Sequence, residues 1–163
     1  MPLFSSKSFV RRVFLAALIS VALFCLVGWQ TTPSTLDDAG LKQMITGLAY
    51  EIKNKDESTF DIDVATPGLK IPTRLFLSKS KSKLWFSVLV MEKERADALT
   101  ADQMRKLLEA NLNSGPAHFM LEKGGLKMKM AIDNRDITPL VLRTEIDYFT
   151  ARVAETKDLW LKS

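Results

Sequence analysis

Apolar side chains recur along this chain with two different spacings, which together predict the secondary structure. Positions three and four residues apart predict amphipathic helices, whereas strict alternation predicts strands buried on one face. Helical spacing occurs in three segments. Their apolar residues are Leu41, Ile45, Leu48 and Ile52; Met104, Leu107, Leu108 and Leu112; and Leu142, Ile146, Phe149 and Val153.

Residues that favour helix starts stand ahead of each segment. Ser34 or Thr35 is placed to cap the first helix. Thr100 followed by Gln103 is a capping box for the second helix. Thr138 precedes a proline, the residue favoured at the first helical position. The three helices are therefore predicted by spacing and by caps alike.

Alternating apolar residues predict the strands. Phe60–Val64 and Ile71–Leu77 each have one apolar face, and Pro72 places the start of the second strand at a sheet edge because proline lacks a backbone donor. Leu84–Met91 is apolar on both faces and is predicted to be a central strand. Two further strands flank Gly124-Gly125, which suits a two-residue hairpin turn.

A type I′ turn centred on the two glycines fixes the register of this last hairpin. It brings apolar residues opposite apolar residues and an acid opposite a base. The predicted pairs are Glu122 with Lys127, Leu121 with Met128, Phe119 with Met130, and Ala117 with Ile132.

The predicted order of elements is α-β-β-β-α-β-β-α. Every link between consecutive strands is short enough for an antiparallel hairpin. The sequence therefore predicts an α+β domain over residues 36–163, with an antiparallel five-stranded sheet and three helices, after a linker at residues 31–35.

Residues 1–30 are predicted to be a membrane anchor or an export signal. Residues 13–29 carry no charge and follow Arg11 and Arg12, which is typical of both kinds of segment. Ser20-Val21-Ala22 has the form of a cleavage site but leaves apolar residues behind it, so an uncleaved single-pass anchor is favoured. Since basic flanks stay in the cytoplasm, the domain is expected outside it; cleavage would instead release a secreted or periplasmic protein.

Charge and composition exclude several functions. The chain has a net charge of +4, but the first thirty residues contribute three basic side chains and no acid. The remainder is nearly neutral, which argues against a nucleic-acid partner. The chain has one histidine and one cysteine, so no metal site, cofactor or catalytic constellation is predicted.

His118 is the single histidine and is predicted to point away from the core. We interpret it as a solvated strand residue; the alternative is a small envelope enzyme that uses His118 with nearby acids. The loop lysines Lys79, Lys81 and Lys83 are candidates for contact with a membrane surface, and the alternative is a solvated loop tip.

Four bulky apolar residues are predicted on the strand faces opposite the core. Either a helix of the same chain covers them, or they form a dimer or partner interface. Phe76 and Trp85 are expected to meet across the hairpin. The four candidates for partner binding are Phe76, Trp85, Leu89 and Met120.

The element order resembles the type III secretion chaperone-like fold, which class I secretion chaperones share with the YbjN-like family. The resemblance covers about residues 36–160 and depends on three features: the Met104–Asn113 stretch, the following Phe119 strand and the helix end at Trp160. It implies a small binding module, often dimeric, that grips an extended segment of a partner and has no enzyme activity.

The leading hypothesis is therefore a non-enzymatic, chaperone-like module, anchored by residues 13–29 and facing the bacterial envelope or the exterior, with a protein partner or a second copy bound. The alternatives are the envelope enzyme and a structural accessory subunit of a membrane complex, assembled through the anchor helix.

Overall fold

The structure is a computed structural model, which describes residues 34–53 and 56–161. Five helices and five strands follow one another in these residues. They are α1 (Asp38–Gly47), β1 (Thr59–Thr66), β2 (Leu69–Leu77), β3 (Lys83–Glu92), α2 (Lys93–Asp97), α3 (Ala101–Asn111), β4 (His118–Glu122), β5 (Gly125–Asp133), α4 (Pro139–Glu155) and α5 (Lys157–Trp160). The α+β class is confirmed.

The strands form one antiparallel five-stranded sheet in the order β1-β2-β3-β5-β4. The prediction that β3 is central is confirmed. The β2–β3 ladder begins only at Arg74, so the first half of β2 pairs with β1 alone. Pro72 lies in that half, which confirms the predicted edge, because β3 does not pair with β2 there.

The core lies between one face of the sheet and the helices. Alternate residues of β1, β2 and β3 are buried there, as the alternation predicted. The apolar stripe of α4 is fully buried along its length, from Leu142 to Val153. The rings of Phe86 in β3 and Phe149 in α4 have no exposed surface, and their centroids lie 5.8 Å apart.

The described residues contain five helices rather than the predicted three. The short α2 follows β3 directly and is too brief to show a helical apolar period. The last predicted helix is divided at Thr156, whose hydroxyl donates to the carbonyls of Arg152 and Val153 at 3.0 and 3.1 Å. Such side-chain bonds compete with the helical ladder, so α5 is a separate turn.

The predicted cap of the first helix is wrong. Asp37 caps α1 by accepting from the Gly40 N–H at 2.7 Å, in place of Ser34 or Thr35. Aspartate is a strong N-cap, and a start at this position puts another acid in the first turn. The helix ends at Gly47, so Ile52 lies outside it.

The predicted register of the β4–β5 hairpin is wrong by two residues. Glu122 pairs with Gly125, and the chain reverses at Lys123-Gly124. A side chain on Gly125 would approach the Met91 carbonyl oxygen to 2.2 Å, and its φ is +122°. Gly125 is therefore required within the strand, beside β3, and not in the turn. Because the shift is even, each side chain keeps its predicted face.

The apolar stripe predicted for α3 is only partly buried. Leu107 is buried, whereas Leu108 and Leu112 are 60% and 84% exposed. The Asn111 amide sets the orientation of the helix, since it accepts from the Phe119 N–H at 2.7 Å and donates to the Phe119 carbonyl at 3.3 Å. These bonds hold one side of α3 against β4 and leave the two leucines facing outward.

The predicted membrane segment, residues 13–29, lies outside the described residues. Among residues 34–53 and 56–161, no helix combines the length and the apolar character needed to cross a bilayer.

Candidate protein-binding surface

The face of the sheet opposite α1 and α4 is called the open face below. It consists of the outward-pointing residues of all five strands, and many of them keep part of their surface exposed. Its members are Asp61, Asp63, Pro72, Arg74, Phe76, Trp85, Ser87, Leu89, His118, Met120, Lys127 and Lys129.

The four apolar residues predicted for partner binding all lie on the open face. Phe76 and Trp85 are cross-strand neighbours, and their half-buried rings stack at 6.4 Å with an interplanar angle of 10°. Leu89 and Met120 are 40% and 37% exposed and stand on either side of Lys127 across the sheet. The structure thus divides the four into an aromatic pair and an aliphatic pair.

A polar row crosses the open face between these two pairs. It runs through cross-strand neighbours from Asp61 to Arg74, Ser87, Lys129 and His118. Nε and Nη2 of Arg74 donate to the two carboxylate oxygens of Asp61 at 2.6 and 2.8 Å. This bidentate pair occupies both charges and fixes the position of the guanidinium group.

Glu122, Lys127 and Lys129 form the Glu122 cluster. The Lys127 ammonium donates to Oε2 at 2.8 Å, and the Lys129 ammonium donates to Oε1. These hydrogen bonds, first from Lys127 and then from Lys129, hold the pKa of Glu122 below its ordinary value. The side chain of Lys129 is only 14% exposed. In each ion pair outside this cluster, among the described residues, the more exposed of the two side chains is at least 48% exposed.

Asp63, Lys53 and Lys70 form the Asp63 cluster at the β1 edge. Both ammonium groups donate to Asp63, with Lys70 at 2.5 Å. The hydrogen bonds from Lys53 and Lys70 lower the pKa of Asp63. Asp63 in turn raises the pKa of Lys70, with a smaller contribution from the nearby Glu51.

A groove of about 720 Å³ lies on the open face between the two clusters. Its lining includes Arg74, Phe76, Ser87, Leu89, Lys127 and Lys129. Apolar surface beside fixed cationic groups suits the binding of a polypeptide segment that has both apolar and polar side chains.

Among the residues that the structure describes, no acidic side chain forms an ion pair with His118. Its Nδ1 lies 3.2 Å from the Pro116 carbonyl oxygen, and its cross-strand neighbour is the base Lys129. Among the described residues, no three His, Cys, Asp or Glu side chains come together as a metal-binding group.

Of the three lysines predicted in the loop, Lys79 and Lys81 lie between β2 and β3, whereas Lys83 is the first residue of β3. Two of the three pair with acids of the same domain. Lys81 pairs with Asp38 at 3.4 Å, and Lys83 pairs with Asp133, which lowers the pKa of that carboxyl. The buried Asn134 amide donates to the carbonyls of Lys81 and Leu36, each at 2.8 Å. The lysine loop therefore lies beside the start of the domain.

The sequence-based search for site residues missed the role of Lys127 and Lys129. A signal was present, because both lysines alternate with Leu126, Met128 and Met130 and so had to lie opposite the core. The predicted pairing already placed Lys127 near Glu122, and what it left out was that the Lys129 ammonium reaches the same carboxylate.

Comparison with known proteins places the fold. No protein-family model and no curated protein matches the chain. Among solved structures, YbjN from E. coli matches with a TM-score of 0.56 and 11% identity, over 79% of this chain and 93% of that one. A chain of the ExsC–ExsE complex matches with a TM-score of 0.54 and 14% identity, over 76% and 92%.

A chain of the HopA1–SchA chaperone–effector complex is also similar, with a TM-score of 0.48 and 15% identity, over 76% of this chain and 91% of that one. Identities this low bear on the fold alone. The matches to YbjN and to the ExsC–ExsE complex confirm the predicted resemblance to the type III secretion chaperone-like fold.

Proposed function

We propose that this chain is a non-enzymatic, chaperone-like module that binds a protein partner through the open face of its sheet. The observation that carries the proposal is the exposure of Leu89 and Met120 on the same face as the stacked rings of Phe76 and Trp85. Apolar surface of this kind, gathered on one face beside a groove, is typical of sites of contact. The similarity to a chain of the ExsC–ExsE complex supports a protein as the occupant.

Photo-crosslinking in the native cells tests this function. A photoreactive phenylalanine analogue replaces Leu89 in one variant and Leu140 in the matched control, since both leucines are exposed and Leu140 lies on α4, away from the open face. We expect a discrete adduct of higher mass from position 89 and none from position 140. Equal adducts from both positions, or none from position 89, would contradict the proposal.

The mass of the adduct separates the two kinds of partner. An adduct of twice the mass of the chain indicates a second copy, whereas any other discrete mass indicates a different protein. Introducing Trp85→Ala into the Leu89 variant should weaken the adduct, because the aromatic pair belongs to the same face.

We further propose that residues 13–29 anchor the chain, with the domain outside the cytoplasm. The uncharged run after Arg11 and Arg12 supports this, and so does the lysine loop beside Leu36, which would meet anionic headgroups near a short tether. The chain should remain in the membrane fraction after carbonate washing. A mature N-terminus at Leu23 would contradict the anchor and indicate cleavage after Ala22.

A further inference from the structure

The positive charges on the open face match the acid one to one in the Arg74–Asp61 pair and exceed it in both lysine clusters. In the Asp63 cluster and in the Glu122 cluster alike, two ammonium groups share a single carboxylate. The lysine side chains of the Asp63 cluster are 49% and 68% exposed, so water screens their charge. The excess charge that water screens least therefore lies at the Glu122 cluster, beside the groove.

This excess charge is held in a partly desolvated position. The side chains of Lys127 and Lys129 are 28% and 14% exposed, so water screens them less than the lysines of the other pairs. Lys127 also lies between Leu89 and Met120 across the sheet. A ligand that reaches the ammonium groups thus meets apolar surface on both sides of one of them.

We propose that the open face binds an acidic segment of its protein partner, with one carboxylate bridging the ammonium groups of Lys127 and Lys129 and a neighbouring apolar side chain packed on Leu89 and Met120. The proposal rests on the protein-binding function above and adds the chemistry of the partner. Glu122 is then the internal competitor for the same two ammonium groups.

Charge and shape favour this occupant over two others. A second copy would bring the same positive excess against itself, which opposes stacking of two open faces. A flat anionic bilayer would contact the exposed loop lysines more readily than the largely buried Lys129. A peptide side chain has the shape to enter the groove and reach that ammonium group.

A peptide selection on the full chain, purified in mild detergent, tests the inference. A displayed library of random short peptides is selected against the native chain, and the binders are sequenced. We expect enrichment of sequences that combine acidic and apolar side chains. A selected peptide should bind Lys127→Gln/Lys129→Gln about tenfold more weakly, whereas Glu122→Gln, which removes the competitor, should bind it more tightly.

The matched control is Lys42→Gln/Lys106→Gln, which removes two exposed helix lysines and changes the net charge equally. Circular dichroism of each variant verifies that it is folded. Binding that falls equally in this control would overturn the inference, because it would reflect net charge and not the Glu122 cluster.

The remaining outcomes separate the inference from the function on which it rests. Peptides that bind the open face without acidic enrichment, or equally well after both lysines are replaced, overturn the inference and leave the protein-binding function standing. Failure to select any peptide whose binding Leu89→Ser abolishes counts against both. Loss of binding to phosphatidylglycerol vesicles, but not to peptides, in Lys127→Gln/Lys129→Gln would overturn the inference in favour of a lipid surface.

Discussion

The two faces of the sheet share the same strands but hold their side chains in different ways. The face beneath the helices buries side chains such as Phe86 completely, against helix residues such as Phe149, and contributes to stability through apolar contact. The open face alternates charged side chains with half-buried rings and exposed aliphatic residues. From this comparison we expect the covered face to contribute more to the free energy of unfolding than the open face.

Truncation of Phe86, on the covered face, should lower the free energy of unfolding more than any other change considered below. Phe86→Ala removes a fully buried ring that contacts Phe149, and the resulting cavity should lower the free energy of unfolding by about 3 to 5 kcal/mol. Denaturant unfolding of the native chain and the variant measures this. A loss below about 1 kcal/mol would mean that the covered face does not dominate stability.

Replacement of Asn134 should cause the next largest loss in the free energy of unfolding. Its buried amide accepts from the Leu36 N–H at 3.2 Å and donates to the carbonyls of Leu36 and Lys81. Asn134→Ala leaves these backbone groups without that partner and should cost about 1 to 3 kcal/mol by the same assay. The exposed Asn113→Ala is the control and should change stability by less than about 0.5 kcal/mol.

Trp85 lies next to Phe86 in the sequence but on the other face, which makes Trp85→Ala the sharpest comparison. It removes a half-buried ring and its stacking on Phe76, so we expect a loss of about 1 kcal/mol. Sedimentation should show weaker self-association if the partner is a second copy. A loss as large as that of Phe86→Ala would mean that the open face is also structural core.

Glu122→Gln should have the smallest effect on stability. That effect should depend on pH. Because its lysine hydrogen bonds lower the pKa of Glu122 from the ordinary 4.5, the native state binds a proton less readily than the unfolded state. The resulting stabilisation is present above about pH 4.5 and is lost as the pH falls through the lower, folded pKa. Denaturant midpoints of native and Glu122→Gln chains should therefore differ near neutral pH and converge in acid. A constant difference would contradict the ion-pair explanation.

Local patterns in the sequence were sufficient for much of the fold. The Thr100–Gln103 capping box and the Thr138 cap are present as predicted, because such motifs depend on residues only a few positions apart. Side-chain faces were also predictable, since alternation survives an even error in register. That is why the four apolar candidates were placed on one face although the last hairpin was misaligned.

Features that depend on distant residues were not predictable in this way. The register of the last hairpin is set by the close approach of Gly125 to Met91 on another strand. The outward direction of Leu108 follows from hydrogen bonds between Asn111 and Phe119. The Glu122 cluster likewise depends on long side chains, because the Lys129 ammonium reaches the carboxylate of Glu122 from a position four residues beyond Gly125, the cross-strand partner of Glu122.

The bonds between Asn111 and Phe119 also limit how the sheet can grow. One side-chain amide occupies both backbone groups of Phe119 on the outer side of β4, as the backbone of a sixth strand would. An incoming polypeptide cannot extend the ladder at Phe119 unless it first displaces this amide, and α3 lies against the same edge. A single asparagine side chain thus terminates the hydrogen-bond ladder at this edge strand and protects it from the edge-to-edge pairing that leads to aggregation.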